Sequence, residues 1–251
     1  MYGMYPMGFF FDPTYILVII GIMLSMAASA YVNSTYRKYD KVLSKKGVTG
    51  TQAAQYILQS QGIHNVGVQG IAGDLTDNYN AQTKMLSLSQ ATAQSTSVAA
   101  IGVAAHECGH AVQDAKNYFP LRLRAGIVPI VNIGSTLSIP LILIGILLRG
   151  QFLINLGLIA FALVFIFQLV TLPVEFDASR RAIQILSEGG LLAEDELPMV
   201  KKVLTAAALT YVAAAVSTLL QLLRLFILFG NNNRDDYKTT LRICLKSLYN
   251  R

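Results

Sequence analysis

The chain has no tryptophan, two cysteines and three histidines in 251 residues, and charged residues make up only 14% of it. Each shortage excludes something. Cys108 and Cys244 cannot build a disulfide framework. Without tryptophan, an aromatic belt at a membrane surface has to come from tyrosine. With so little charge against 53% hydrophobic residues and a mean hydropathy of +0.49, the polar surface is too small for a soluble domain, so the apolar excess must face lipid. No basic residue precedes Arg37 and no small-residue cleavage site stands out, so the start of the chain reads as a retained anchor rather than a signal peptide. The net charge of +6 comes with no aromatic-basic motif, which argues against nucleic acid as a partner and for lysine and arginine anchoring at a membrane face.

What is abundant is long apolar sequence. Runs at Thr14 to Val32, Ala125 to Leu148, Phe152 to Leu172 and about Ala206 to Phe229 each suffice to cross a bilayer, which needs about 20 residues. Arg224 and Gln221 make the last of them the weakest span. Arg37, Lys38, Lys41, Lys45 and Lys46 follow the first run. Arg122 and Arg124 precede the second, and Arg180, Arg181, Lys201 and Lys202 lie between the third and fourth. The turn between the second and third carries only Arg149. The positive-inside rule therefore predicts that 33–124 and 174–202 face the cytoplasm. The basic tail, with Arg234, Lys238, Arg242, Lys246 and Arg251, disagrees with the outside placement that four crossings would give it.

Within 33–124 the expectation is helix, hairpin, helix. Thr49 to Gln61 reads as a helix capped by Thr49 and stopped at Gly62. A short strand is expected around Asn65–Gln69. A strand, turn, strand unit then covers Asp74 to Ser89, with the turn at Asn78 to Gln82. Ser97 to Asp114 reads as a buried helix of small and apolar residues, interrupted by His106, Glu107 and His110.

His106-Glu107-Cys108-Gly109-His110 is an H-E-x-x-H sequence. Residues four apart share a helix face, so both imidazoles can reach one zinc ion while Glu107 addresses a water in the open coordination position. The pentapeptide also occurs by chance, and the competing reading is a helix with two structural histidines and a solvated glutamate. Small Ala104, Ala105, Gly109 and Ala111 would let neighbouring elements approach this helix closely. His64 reads as an ordinary surface histidine, and Cys108 as a buried small hydrophobe on the far side of the helix. Asp114 shares the His110 face but looks like a supporting or surface group.

A catalytic zinc usually takes three protein ligands. The second and third apolar runs are joined by a short turn at Arg149–Gln151 and must form an antiparallel hairpin. The chain then returns near where it left and emerges at Glu175, just past Pro173. A carboxylate there is costly unless paired or bound to metal. The rival reading pairs Glu175 with Arg180 or Arg181. Asp177 stands three and four residues from those arginines and serves them better, while Glu175 shares a small-residue face with Ala178, Ser179 and Ala182.

At these residues the sequence resembles the YugP-like family of bacterial membrane zinc metallopeptidases. The blocks that carry the resemblance are Leu75-Thr76-Asp77-Asn78-Tyr79, Thr96 to Glu107, Gly109-His110-Ala111, Ile127-Val128-Pro129 and Leu172 to Arg181. More distantly the layout is similar to the HtpX and CAAX-prenyl-protease types of membrane peptidase. There a glutamate on a later helix completes the metal and an acid follows it four residues on; here that position is Ser179, and Asp177 is only two away. Ser179 would then offer a supporting hydrogen bond instead. The resemblance also suggests that the strand at Met85, Leu86, Ser87 and Leu88 is an edge on which an extended substrate lies. Tyr79, Arg180 and Arg181 are the candidates for holding the oxyanion.

The expected fold is a mainly α integral membrane protein of about four transmembrane helices. A small α+β cytoplasmic zincin-like catalytic domain with a short β-hairpin or sheet completes it. The expected parts are an anchor at 1–32, a catalytic region at 33–124, a transmembrane hairpin at 125–172, a helix carrying the third ligand at 173–205, and a fourth apolar helix with the basic tail at 206–251. The expected function is a gluzincin-type endopeptidase with one zinc ion in a bacterial plasma membrane, its site facing the cytoplasm. A zinc-containing scaffold or adaptor without catalysis is the alternative. Expected partners are a polypeptide substrate and the bilayer, with a membrane protein or a second copy of the chain as further candidates.

Overall fold

The structure, a computed structural model, describes residues 12–230; the basic tail beyond Gly230 and Cys244 lie outside the described residues. The chain is mostly helical, with a three-stranded sheet. The elements are α1 (Tyr15–Asp40), α2 (Gly50–Ser60), β1 (Gly67–Ile71), β2 (Asn78–Asn80), β3 (Met85–Ser89), α3 (Gln90–Ala93), α4 (Val98–Ala115), α5 (Phe119–Leu147), α6 (Gln151–Glu188) and α7 (Leu197–Phe229). Helices α1, α5, α6 and α7 are each long and apolar enough to cross a membrane, with 18-residue windows of mean hydropathy 2.1, 2.1, 2.5 and 2.1.

These helices overrun the apolar runs that announce them. Prolines do not end them: Pro129 and Pro140 lie inside α5 and Pro173 inside α6. Glu175 therefore sits on the same continuous helix as the apolar run before it. Membrane-type helices tolerate such prolines because neighbours supply substitute hydrogen bonds.

Two compact units can be distinguished. One comprises the described residues of 1–24, 129–166 and 215–251. Its side chains include Arg224, stacked 4.0 Å from the Tyr15 ring and 3.7 Å from Asp12, which supplies a partner for the charge inside the fourth run. The other comprises 25–128 and 167–214 and contains the buried core. Ile57, Leu86, Leu88, Val98, Ile101, Leu186 and Val200 are all fully buried there. Each such side chain contributes about 1.5–3 kcal/mol through loss of apolar contact with water.

Local sequence explains the helix starts in this unit. Thr49 caps α2 in a full capping box with Gln52. The Ser97 hydroxyl accepts from Ala100 N–H and donates to Asp40, which fixes the start of α4 to the end of α1.

The sheet corrects one expectation. The strand order is β1-β3-β2, with β1 parallel and β2 antiparallel to β3. The strand Met85–Ser89 is therefore central, with backbone groups engaged on both sides, and it is no edge for a substrate. Leu86 and Ser87 are buried. The sheet edge on this side is Asn78–Asn80, where a turn was expected. The turn chemistry is real but lies later: the Asn80 side chain accepts from the backbone of Gln82 and Thr83, and Asn78 and Asn80 face outward while Tyr79 packs inward.

Candidate metal centre

Helix α4 carries His106 and His110 one turn apart, with ring centroids 4.8 Å from each other. Helix α6 delivers Glu175 to the same point. Glu175 Oε2 lies 3.2 Å from His106 Nε2 and 3.7 Å from His110 Nε2. Among the described residues these three form the group able to share a metal ion, with ligand atoms all within 4.8 Å of one another. Donors about 2.0–2.2 Å from a tetrahedral zinc are themselves about 3.3 Å apart, so the donor set and its spacing fit zinc.

The two helices can approach because position 109 has no side chain. A Cβ at Gly109 would stand 2.5 Å from the carbonyl oxygen of Ala178. That contact brings Glu175 and Ser179, on the facing side of α6, within reach of the imidazoles.

Each histidine is oriented by its other nitrogen. His110 Nδ1 lies 3.1 Å from Gln113 Oε1. The Gln113 amide nitrogen donates to Val174 C=O at 2.8 Å and to Asp177 Oδ2 at 3.0 Å. Its oxygen can then only accept, so Nδ1 of His110 donates to it, and Nε2 is the nitrogen turned toward Glu175, free to bind a metal when the ring is neutral. His106 Nδ1 lies 3.1 Å from Ser179 Oγ, with Nε2 again toward Glu175. Burial alone would lower the His110 pKa; the hydrogen bond to Glu175 and the nearby Glu107 charge outweigh burial and raise it.

Glu175 is 2% exposed, yet its second oxygen is not idle: Arg124 Nη1 donates to Oε1 at 2.8 Å. A buried carboxylate requires such compensation. Asp177, two residues on, turns elsewhere and accepts from Arg180, Arg181 and Gln113.

Two cavities adjoin the three side chains. One, of about 510 Å³, is bounded by Asn78, Tyr79 and Asn80 and by Arg124. The other, of about 250 Å³, has one aliphatic side. His106, Glu107, Glu175 and Tyr211 border both.

The remaining sequence-predicted residues fall as follows. Ser179 is beside His106. Tyr79 lines the larger cavity, but its hydroxyl donates to Asp114 at 2.6 Å; burial, reinforced by that carboxylate, raises its pKa. Arg180 and Arg181 are committed to Asp177, and neither borders these two cavities. Met85, Leu86 and Ser87 do not line them either. His64 is exposed and Cys108 fully buried. Sequence reasoning missed Arg124, Gln113 and Tyr211. Gln113 had a signal, since it follows His110 by three on one helix face. Arg124 and Tyr211 come from other helices and had none.

The described residues thus combine four helices long and apolar enough to cross a membrane with two histidines and a glutamate that could hold a metal ion. A family profile described as "Putative neutral zinc metallopeptidase" matches residues 14–230, and the chain belongs to that family. It is 44% identical over 220 residues to "Putative membrane protease YugP" of Bacillus subtilis (strain 168), covering 88% of this chain and 97% of that protein. No solved structure matches.

Proposed function

We propose that the protein is an endopeptidase of a bacterial plasma membrane in which His106, His110 and Glu175 hold one zinc ion and Glu107 is the general base. The observation that carries this reading is the convergence of two Nε2 atoms and one carboxylate oxygen beside the cavity walls to which Glu107 belongs. Zinc bound there would polarise the scissile carbonyl and bring the pKa of a bound water toward about 7.

The chain supplies the rest. Glu107 takes a proton from the attacking water as the water oxygen bonds to the carbonyl carbon. It delivers that proton to the amine nitrogen as the C–N bond breaks. Arg124 engages Oε1 of Glu175, so that Oε2 stays turned to the histidines. Gln113 and Ser179 keep the imidazoles in register. Arg124 and Tyr211 border the same cavity as Glu107 and replace Arg180 and Arg181 as candidates for stabilising the oxyanion. An extended polypeptide would lie along the free edge of Asn78–Asn80.

Glu107→Gln tests the reading. Turnover of an unfolded model polypeptide by purified protein should fall about 10²–10⁴-fold while zinc stays stoichiometric. Undiminished turnover would instead support the non-catalytic scaffold.

The cytoplasmic side for the site rests on the cations flanking the apolar runs. A reporter active only outside the membrane, fused at Gly150, should be active; silence there would reverse the orientation.

A further inference from the structure

The two cavities at the histidines differ in kind. The larger is walled by asparagines, a tyrosine and an arginine. The smaller has an aliphatic side of Val103, Leu75, Val203, Leu204, Ala207 and Ala208, from α4, the segment before β2, and α7, with Asn33, Tyr36 and Asp77 also on its wall. Its 250 Å³ is below the roughly 300–1,000 Å³ of sites that take whole small molecules, and it suits one side chain.

Position ties this space to the reaction. Val103 precedes Glu107 by one helical turn, and Ala207 precedes Tyr211 by one turn, so wall and reacting edge share two helix faces. Two polar groups beside this aliphatic side are engaged elsewhere: Asp77 accepts from Ser89 N–H and from the Ser89 and Thr92 hydroxyls, and Ser179 is beside His106. Leu75 holds a left-handed φ of 54°, a costly conformation for a residue with a Cβ, and it is half exposed on this wall. A leucine kept at that cost with half its surface open has the character of a contact waiting for an apolar ligand.

We propose that this cavity is the specificity pocket, taking a single uncharged, mid-sized apolar side chain from a residue adjoining the bond that is cut. The inference rests on the hydrolase reading above and adds the class of residue recognised. An acidic side chain would lose its hydration there and meet the carboxylates of Asp77, Glu107 and Glu175. Leucine, isoleucine or methionine would displace water from the aliphatic wall, with a preference over alanine of roughly ten- to a hundredfold in kcat/KM.

The test uses the zinc-loaded full chain in detergent and an unfolded model polypeptide, with cut sites mapped by mass spectrometry. Apolar residues should recur at one fixed position beside the cut, and aspartate and glutamate should be missing from it. Two peptides differing only there, leucine against alanine, then give a kcat/KM ratio. Ala207→Phe, which fills the pocket, should lower that ratio at least tenfold, and Val103→Ala, which widens it, should move the preference toward phenylalanine. A wild type that cuts with no such preference, or two zinc-loaded variants with unchanged ratios, overturns the pocket assignment and leaves the hydrolase standing. If Ala207→Phe fails to fold, Val103→Ala decides alone. A zinc-loaded wild type that cuts nothing overturns the hydrolase reading itself.

Discussion

Two carboxylates stand two residues apart on α6 and lead different lives. Glu175 faces α4 and meets two imidazoles and a single arginine. Asp177 faces away and meets two arginines and an amide. Helical angle separates them: a two-residue step turns about 200°, so neighbouring acids cannot serve one centre. The arginines at 180 and 181 fall to Asp177 by their three- and four-residue spacing, which leaves Glu175 for the histidines. The difference teaches that the cations near a candidate ligand decide whether it is a ligand at all. The two acids remain linked, since Asp177 holds Gln113 and Gln113 holds His110.

The largest contrast should appear when each acid is removed. Glu175→Ala is expected to lose bound zinc and all measurable peptidase activity, while Asp177→Ala keeps zinc; metal analysis of the two purified variants reads the difference directly. Equal zinc content would erase the distinction between them. Next in size, Gly109→Ala forces α4 from α6, because its new methyl meets the Ala178 carbonyl. Overpacking of this kind costs about 1–3 kcal/mol, visible as a lower thermal midpoint together with weakened zinc retention against a chelator. Asp177→Asn is milder: it should cost about 10–100-fold in zinc affinity or activity through Gln113 and His110. Ser179→Ala should have the smallest effect, less than about tenfold, with His106 keeping its place through α4 alone. A Ser179→Ala effect as large as that of Glu175→Ala would mean that the hydroxyl does more than orient a ring.

Much of this arrangement was readable beforehand. The four apolar helices, the cap at Thr49, and the H-E-x-x-H spacing are all local signals, set by side chains within a few residues of one another. The meeting of Glu175 with His106 and His110 was reachable because a short turn between two long helices leaves little freedom. The strand order was not. Asn78–Asn80 carries turn-forming residues, and only the pairing with β3 makes it a strand and the sheet edge. Arg124 and Tyr211 were hidden for a related reason: both lie in long apolar helices where nothing nearby in sequence marks them, and only tertiary contact brings them to the site.

Cys108 lies between the two histidines with its thiol fully buried and its pKa raised, chiefly by burial. It therefore stays silent toward alkylating reagents until α4 swings out of the core. In a Cys244→Ser background, the speed of alkylation becomes a clock for that opening, and an ion gripping the flanking imidazoles should slow it. The same thiol thus reports metal occupancy in intact membranes, without any knowledge of what the protein cuts.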